Sequence, residues 1–447
     1  MIHEWACQPY FSLIVIFLFA PYFVSHVAAD PVAGQALWSY AHAIAGLAIA
    51  LLGPFMGAVA DAGGPRKPWI LGCTLVAGSG CIALWWATPG APPHAVLAAV
   101  VMGAVGIECL FVFANAMLPS IASSARIGLV SGFGIAMGQL AGILALVLIL
   151  LAVALPGTVD AAFGPASPLF GLSAEHFETD RIVGPVAGLW LILFMLPFFF
   201  FVPDRAPRGI GRREVVREGF RRLRSSLAET RRVDSVLVFL AARVVFYSGM
   251  NIVFLFGGVL AATIYAWGTA ELTIYGLLAT SFAVAGAVFG GLFDRRFGAR
   301  ATLTAALLMG AVAFLVMLSC ERERVLLIVP LPLPDDAAML GTATEWAFLS
   351  AAAIFGLAAG AVMASSRTLF ARIAPPDRLA EFFGIYALSA QAAAFIGPVL
   401  VGLITAASSN QKSGLLVAVP LITCGALLLL RVRERAMDGA PGDRSIV

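Results

Sequence analysis

The chain is built from apolar runs long enough to cross a bilayer. A helix needs roughly 20 apolar residues to span the hydrocarbon core. Stretches of that kind recur twelve times, with cores near 9–28, 37–60, 69–87, 95–118, 129–155, 186–202, 236–262, 272–293, 302–318, 348–365, 382–406 and 415–430. Their length excludes outer-membrane strands, which take about 10 residues each. A bilayer interior offers no water to the backbone, so each run must bond to itself and reads as a helix. Of the 447 residues, 61% are hydrophobic and 12% charged, against about 25% charged in a soluble domain. The expected fold class is an all-α membrane protein.

The cations set an orientation. With the N-terminus placed in the cytoplasm, only Arg181, Arg322, Arg324 and Lys412 of the 28 Lys and Arg residues fall on the far side, and Arg243 falls inside the membrane. The rest are cytoplasmic, a strong positive-inside bias. An odd number of segments would scramble this partition, so the charges support twelve independently of hydropathy. Val27-Ala28-Ala29 resembles a signal cleavage site, but no Lys or Arg precedes the first apolar run; a retained first helix is the expectation. The membrane assigned by this pattern is a bacterial-type inner (plasma) membrane, with both termini cytoplasmic.

The midpoint, 203–232, holds ten arginines. Val216, Phe220, Leu223 and Leu227 recur there at helical spacing, which predicts an amphipathic helix lying on anionic lipid. Nucleic-acid binding is rejected for an Arg-rich run placed between two membrane halves. The expected organisation is a first six-helix bundle over 1–202, a cytoplasmic Arg-rich linker over 203–235, a second six-helix bundle over 236–430 and a cytoplasmic tail over 431–447.

The halves repeat one another. A charged hinge, GAVADAGGPRKPW, follows the second apolar run and contains Gly57, Asp61, Gly64 and Arg66. GGLFDRRFGAR presents Gly290, Asp294, Gly298 and Arg300 at the matching place in the second half. Further on, Ile121, Ala122, Arg126 and Gly132 match Ile373, Ala374, Arg378 and Gly384. Tandem six-helix halves place a substrate site between them near the bilayer midplane. A carboxylate at a helix end can accept bonds from the open amides of a neighbouring helix N-terminus, and an adjacent Arg adds a charge-assisted bond. Asp61, Gly64, Arg66, Asp294 and Arg300 are therefore candidate members of breakable cytoplasmic latches. A tight turn bearing topogenic charges is the plainer alternative.

The hinge pattern G-x-x-x-D-x-x-G-x-R resembles the loop signature of the major facilitator superfamily. Over nearly its whole length the chain also resembles the unknown-major-facilitator family, related to the autophagy-linked vacuolar amino-acid effluxer. The resemblance is carried by EWACQPYF at Glu4, FAPYF at Phe19, DAGGPRKPW at Asp61, ECLFVFANAMLP at Glu108, SRTLFARIAP at Ser366 and EFFGIYALSAQAAAFIGP at Glu381. It implies two pseudo-symmetric six-helix bundles, a cavity lined by the first, fourth, seventh and tenth helices, and latches placing Asp61 near the eleventh helix and Asp294 near the fifth. Gln391 departs from the family, which commonly has Lys there.

Two ionisable residues sit deep in apolar runs: Glu108 near the middle of the fourth and Arg243 about two turns into the seventh. Each costs at least ~2.5–3.5 kcal/mol at the bilayer centre, so both are expected to face a cavity, and a mutual pair is one way to satisfy them. A buried carboxyl without a partner holds a proton more readily and can carry one. The alternative is a structural ion pair fixing helix packing. Asn115, Tyr247, Asn251 and Gln391 complete the candidate substrate or proton pathway, although helix–helix hydrogen bonds explain such residues as well. Trp38 reads as an interface-belt residue and His42 as a packed ring. No P-loop, metal-ligand spacing or nucleophile–base constellation is found, so no cofactor, metal or catalytic role is expected.

These features point to a monomeric secondary-active carrier of a small polar solute, working by alternating access, with protons as a candidate coupling ion. The resemblance suggests efflux of amino acids or similar metabolites. A non-transporting receptor or scaffold of transporter fold is the rival, and a channel a more distant one.

Overall fold

The computed structural model describes residues 2–61, 65–121, 124–156, 167–204, 234–331, 339–375 and 379–432. Twelve of the described helices are long and apolar enough to cross a membrane. The first half comprises α1 (Ile2–Val27), α2 (Pro31–Asp61), α3 (Lys67–Ala83), α4 (Pro93–Ile121), α5 (Ser124–Ile149) and α6 (Glu178–Phe201). The second comprises α7 (Asp234–Tyr265), α8 (Thr269–Phe297), α9 (Ala299–Ser319), α10 (Ala343–Ile373), α11 (Leu379–Ser408) and α12 (Gln411–Leu429). A short antiparallel hairpin, β1 (Arg324–Val325) with β2 (Val329–Pro330), lies between α9 and α10. The Arg-rich stretch 205–233, with its expected amphipathic helix, and the tail beyond Val432 lie outside the described residues.

The two halves pack alike. In the first, α3 lies against α4 and α6, α2 against α4, and α1 against α5 and α6. In the second, α9 lies against α10 and α12, α8 against α10, and α7 against α11 and α12. Each contact has its counterpart six helices on. Across the halves, α2 meets α11, α8 meets α5 and α1 meets α7. Lipid tails are as apolar as leucine, so close backbone approach rather than apolar burial holds such bundles together. The α8–α10 contact shows this best: a Cβ at Gly360 would run into the carbonyl oxygen of Ala283, and one at Gly286 into that of Leu357. The outer faces stay apolar, as at Leu189 and Leu193 of α6, each 59% exposed.

Three sequence expectations are corrected here. The first helix begins at Ile2 and the tenth reaches Ile373, so Glu4 and Arg367 belong to membrane helices rather than to their flanks. Charges facing a polar cavity lower local hydropathy without ending a helix, which is why both runs were drawn short. Trp38 is fully buried, packed on Phe19, Phe23 and His42, instead of standing in an interface belt.

The winding of α1 is irregular. It is π-helical over Tyr10–Phe17 and again over Phe23–Val27. Pro9 and Pro21 lack backbone N–H groups, and a freed carbonyl is readily absorbed by a wider turn. This widened helix lines the space between the halves.

Candidate functional site

A cavity of about 520 Å³ lies where the halves meet, within the usual range for small-molecule sites. The first half contributes Glu4 and Gln8 from α1, His42 from α2, Glu108 from α4 and Gln139 from α5; the second contributes Tyr247 and Asn251 from α7, Thr280 from α8, Arg367 from α10 and Gln391 from α11. Phe11, Phe111, Phe254 and Phe355 supply apolar walls. Gln8 donates to Gln139 at 3.2 Å, tying α1 to α5. His42 Nδ1 faces the carbonyl oxygen of Trp38 at 3.0 Å. An oxygen there can only accept, so Nδ1 carries the proton and the buried Nε2, without a partner among the described residues, is an acceptor at the cavity wall.

Glu108 and Arg243 do not pair. Glu108 Oε2 accepts a hydrogen bond from Gln391 Nε2 at 3.0 Å, linking α4 to α11 across the halves. Arg243 is 5% exposed and turns to α11. One terminal nitrogen donates to the carbonyl oxygen of Tyr386 at 2.7 Å and to Ser389 Oγ. Its guanidinium carbon lies 3.6 Å from the Tyr386 ring centroid and 5.0 Å from that of Tyr247. Tyr386 and Ser389 sit nearly one turn apart on α11, so a single face of that helix supplies both oxygens and a ring to the cation, while its buried Nε has no partner among the described residues. Tyr247 lines the cavity and Arg243 does not. Asn115 is exposed and also stands off the cavity. Tyr247, Asn251, Glu108 and Gln391 are thus brought together, while Arg243 and Asn115 are not.

At the hinge, Gly64 and the side chain of Asp61 lie outside the described residues. The neighbouring backbone is held by an unexpected carboxylate: Asp204, just beyond α6, accepts from the backbone N–H groups of Arg66 and Lys67, both at 3.0 Å. The open amides and dipole at the start of α3 favour an anion there. Lys67 Nζ reaches the carbonyl oxygen of Phe199 at 2.7 Å. In the second half, Arg300 donates to the carbonyl oxygen of Val432 at 2.9 Å, so the start of α9 is likewise tied to the end of α12. Asp294 is buried and its Oδ1 accepts from Ser365 Oγ of α10 at 2.7 Å. Among the described residues Asp294 is bonded within its own half; the side chains of 124–132 at the start of α5, where its expected contact lies, are outside the described residues.

That far end is closed. Thr269 Oγ1 of α8 donates to Asp180 Oδ1 of α6 at 2.7 Å. Gln35 Nε2 of α2 donates to Thr405 Oγ1 at 2.8 Å and to the carbonyl oxygen of Gln411 at 3.0 Å, and Gln411 Nε2 reaches the carbonyl oxygen of Pro31 at 2.7 Å. Beneath these ties Phe17 of α1 meets Tyr275 of α8 edge to face, 5.4 Å between centroids. The central cavity runs from these two rings toward the hinge end, where Glu4 and Arg367 line it.

Arg367, Glu4, Gln35, Asp180 and Asp204 were not singled out by sequence reasoning. Four of them sit at segment edges, where charged and amide residues are commonplace. Arg367 carried a better signal, an Arg within one turn of the apolar run 348–365, and it was counted with the cytoplasmic cations.

Residues 24–129 and 123–438 match the family described as vacuole effluxer Atg22 like. Autophagy-related protein 22 of Cryptococcus neoformans is 25% identical over 293 residues, covering 62% of this chain and 51% of the relative; the chain spans about half the length of that relative. An uncharacterized MFS-type transporter of Bacillus subtilis, YxiO, is 23% identical over 97% of this chain and 94% of its own. Among solved structures, the xylose transporter XylE from E. coli in an inward open conformation superimposes with a TM-score of 0.63 at 12% identity, covering 98% of this chain and 96% of the other. The nucleoside transporter NupG gives 0.61 at 12%, covering 96% and 95%. A bacterial homologue of the human lysosomal transporter Spinster, inward-facing and unoccupied, gives 0.63 at 14%, covering 96% and 92%. These likenesses show the fold, and the family match shows the lineage: the chain has the fold of major facilitator transporters and belongs to the family described as vacuole effluxer Atg22 like.

Proposed function

We propose that the chain is a secondary-active carrier that moves a small polar solute by alternating access, with an amino acid or similar metabolite as the solute class and export as the direction. The observation that carries this reading is the central cavity, into which both halves send polar side chains and across which Gln391 of one half bonds to Glu108 of the other. A scaffold gains nothing from a polar cavity between two separately packed bundles, whereas a carrier needs a site that both halves share.

The hinge end is assigned to the cytoplasm and the membrane to a bacterial-type inner membrane, following the charge bias of the loops. The conformation described is then closed outside and open inside. Rocking the bundles would break the Thr269–Asp180 and Gln35–Thr405 bonds and bring the hinge segments of Asp61 and Asp294 against the opposite half, where they latch. Glu108 is the candidate proton carrier: it lines the cavity, and a single neutral amide is its hydrogen-bond partner. The protein works as a monomer.

Purified protein in proteoliposomes tests this, with radiolabelled amino acids, nucleosides and sugars offered with and without a pH gradient. Saturable counterflow of any of them supports the carrier. Absence of flux for all, from vesicles whose protein is monodisperse, favours a receptor or scaffold, and fast non-saturating flux favours a channel.

A further inference from the structure

Several polar groups around the cavity already have partners: Gln8 bonds Gln139, and Gln391 bonds Glu108. Arg367 differs. It lines the cavity from α10, it is exposed, and it makes no hydrogen bond or ion pair with any described residue. The acids facing it from the first half, Glu4 and Glu108, lie within Coulombic reach of one another and Arg367 within reach of Glu4, yet no carboxylate comes within salt-bridge distance of the guanidinium. A guanidinium presents five donors in a planar fork that matches a carboxylate. In this cavity the fork is unfilled and stands within Coulombic reach of Glu4.

We propose that Arg367 is the anion-binding group of the central cavity and that the transported solute presents a carboxylate to it. The proposal rests on reading the cavity as the transport site. The second half then grips the solute by its anionic end. Any donor on the solute turns to the first half, toward Glu4. A solute held this way touches both bundles and draws them together.

Ligand-induced thermal stabilisation of the purified full chain tests this without relying on flux. The probes are L-valine, 3-methylbutanoate and L-valinamide, the last having the carboxylate replaced by a neutral amide. Binding to the folded state raises the melting temperature with ligand concentration. Wild type is expected to be stabilised by L-valine and 3-methylbutanoate, with at least tenfold weaker binding of L-valinamide. Arg367→Gln is expected to weaken both carboxylates at least tenfold, bringing L-valine level with L-valinamide. Arg367→Lys keeps the charge and loses the fork, and is expected to fall between. The proposal is overturned if Arg367→Gln binds L-valine within twofold of wild type, as a gating arginine that closes on Glu4 would. It is also overturned if L-valinamide binds as well as L-valine, or if neither carboxylate stabilises wild type. Saturable counterflow of an uncharged sugar or nucleoside alongside any of those outcomes would leave the carrier reading standing while the anion site fell.

Discussion

Arg243 on α7 and Arg367 on α10 both carry a guanidinium into the membrane region of the second half, and they are handled in opposite ways. Arg243 is buried, bonded to Tyr386 and Ser389, and stacked on one ring with a second nearby. Arg367 is exposed to the cavity and bonded to nothing described. A charge inside a membrane protein signals that something holds it, but the something can be the protein or the cargo. The partners decide. Where the fold encloses the cation with oxygens and rings, it is part of the packing; where the fold supplies no bond, the site is built for a ligand.

The strongest way to break this contrast is to remove Arg243. Arg243→Met deletes a desolvated cation–π contact worth about 2 kcal/mol and charge-assisted bonds worth about 1.5–3 kcal/mol, part of which the methionine side chain recovers by packing. A net loss on the order of 3 kcal/mol is expected. It would be read as a lower melting temperature and reduced yield of monodisperse protein. Arg243→Lys should recover part of this, since an ammonium can reach the Tyr386 carbonyl but cannot lie flat on its ring. Unchanged melting with lost solute binding would put Arg243 in the site after all.

Glu108→Gln comes next, and its effect should be on transport rather than on the fold. A glutamine oxygen still accepts from Gln391, so stability should move by no more than about 0.5 kcal/mol. An amide cannot gain or lose a proton, so uptake driven by a pH gradient should fall to the rate seen without one, while solute counterflow persists. Retention of the gradient's full effect would remove Glu108 from the proton path.

Much of this was legible beforehand and some was not, for physical reasons. Twelve spans, their division into two halves and the duplicated hinge follow from run length, charge placement and repeated residues, because bilayer thickness and the cost of unpaired backbone leave few alternatives. Glu108 was found because a lone acid in an apolar run is expensive. Gln391 was a candidate too, but its bond to Glu108 was not foreseen, since the two lie far apart along the chain. Arg243 was expected to face the cavity, with Glu108 as one way to satisfy it, and periodicity cannot say that Tyr386 and Ser389 of another helix would meet it first. Arg367 and Glu4 were missed because hydropathy reads a cavity-facing charge as the end of a helix.

The hinge repeats the same lesson in carboxylates. Asp204 accepts from two backbone amides at the start of α3, whereas Asp294 accepts from the Ser365 hydroxyl and has a second oxygen with no partner among the described residues. Asp204→Asn removes the charge from a helix N-terminus and replaces one of its two accepting oxygens, which should cost about 1 kcal/mol. Asp294→Asn leaves one oxygen for Ser365 and gives up little in this conformation, so its melting should stay closer to wild type. If Asp294 serves the other conformation, the asparagine variant should instead slow transport. Equal melting losses in the two variants would show that both acids hold the conformation described.

The smallest expected effect bears most directly on the opening contrast. Arg367 contributes no described bond to the fold, and its described Coulombic neighbours, Glu4 and Tyr247, share the cavity lining with it, where water screens them. Removing it also relieves the desolvation that any cation suffers near the membrane interior. Arg367→Gln should therefore leave the ligand-free melting temperature within the shift that about 0.5 kcal/mol produces, measured beside Arg243→Met in the same detergent. The pair of variants makes the comparison quantitative: one guanidinium should matter for stability, the other should not. A loss in Arg367→Gln approaching that of Arg243→Met would mean that the cavity arginine also holds the bundle, and that an unfilled fork in a resting carrier is not by itself the mark of a binding site.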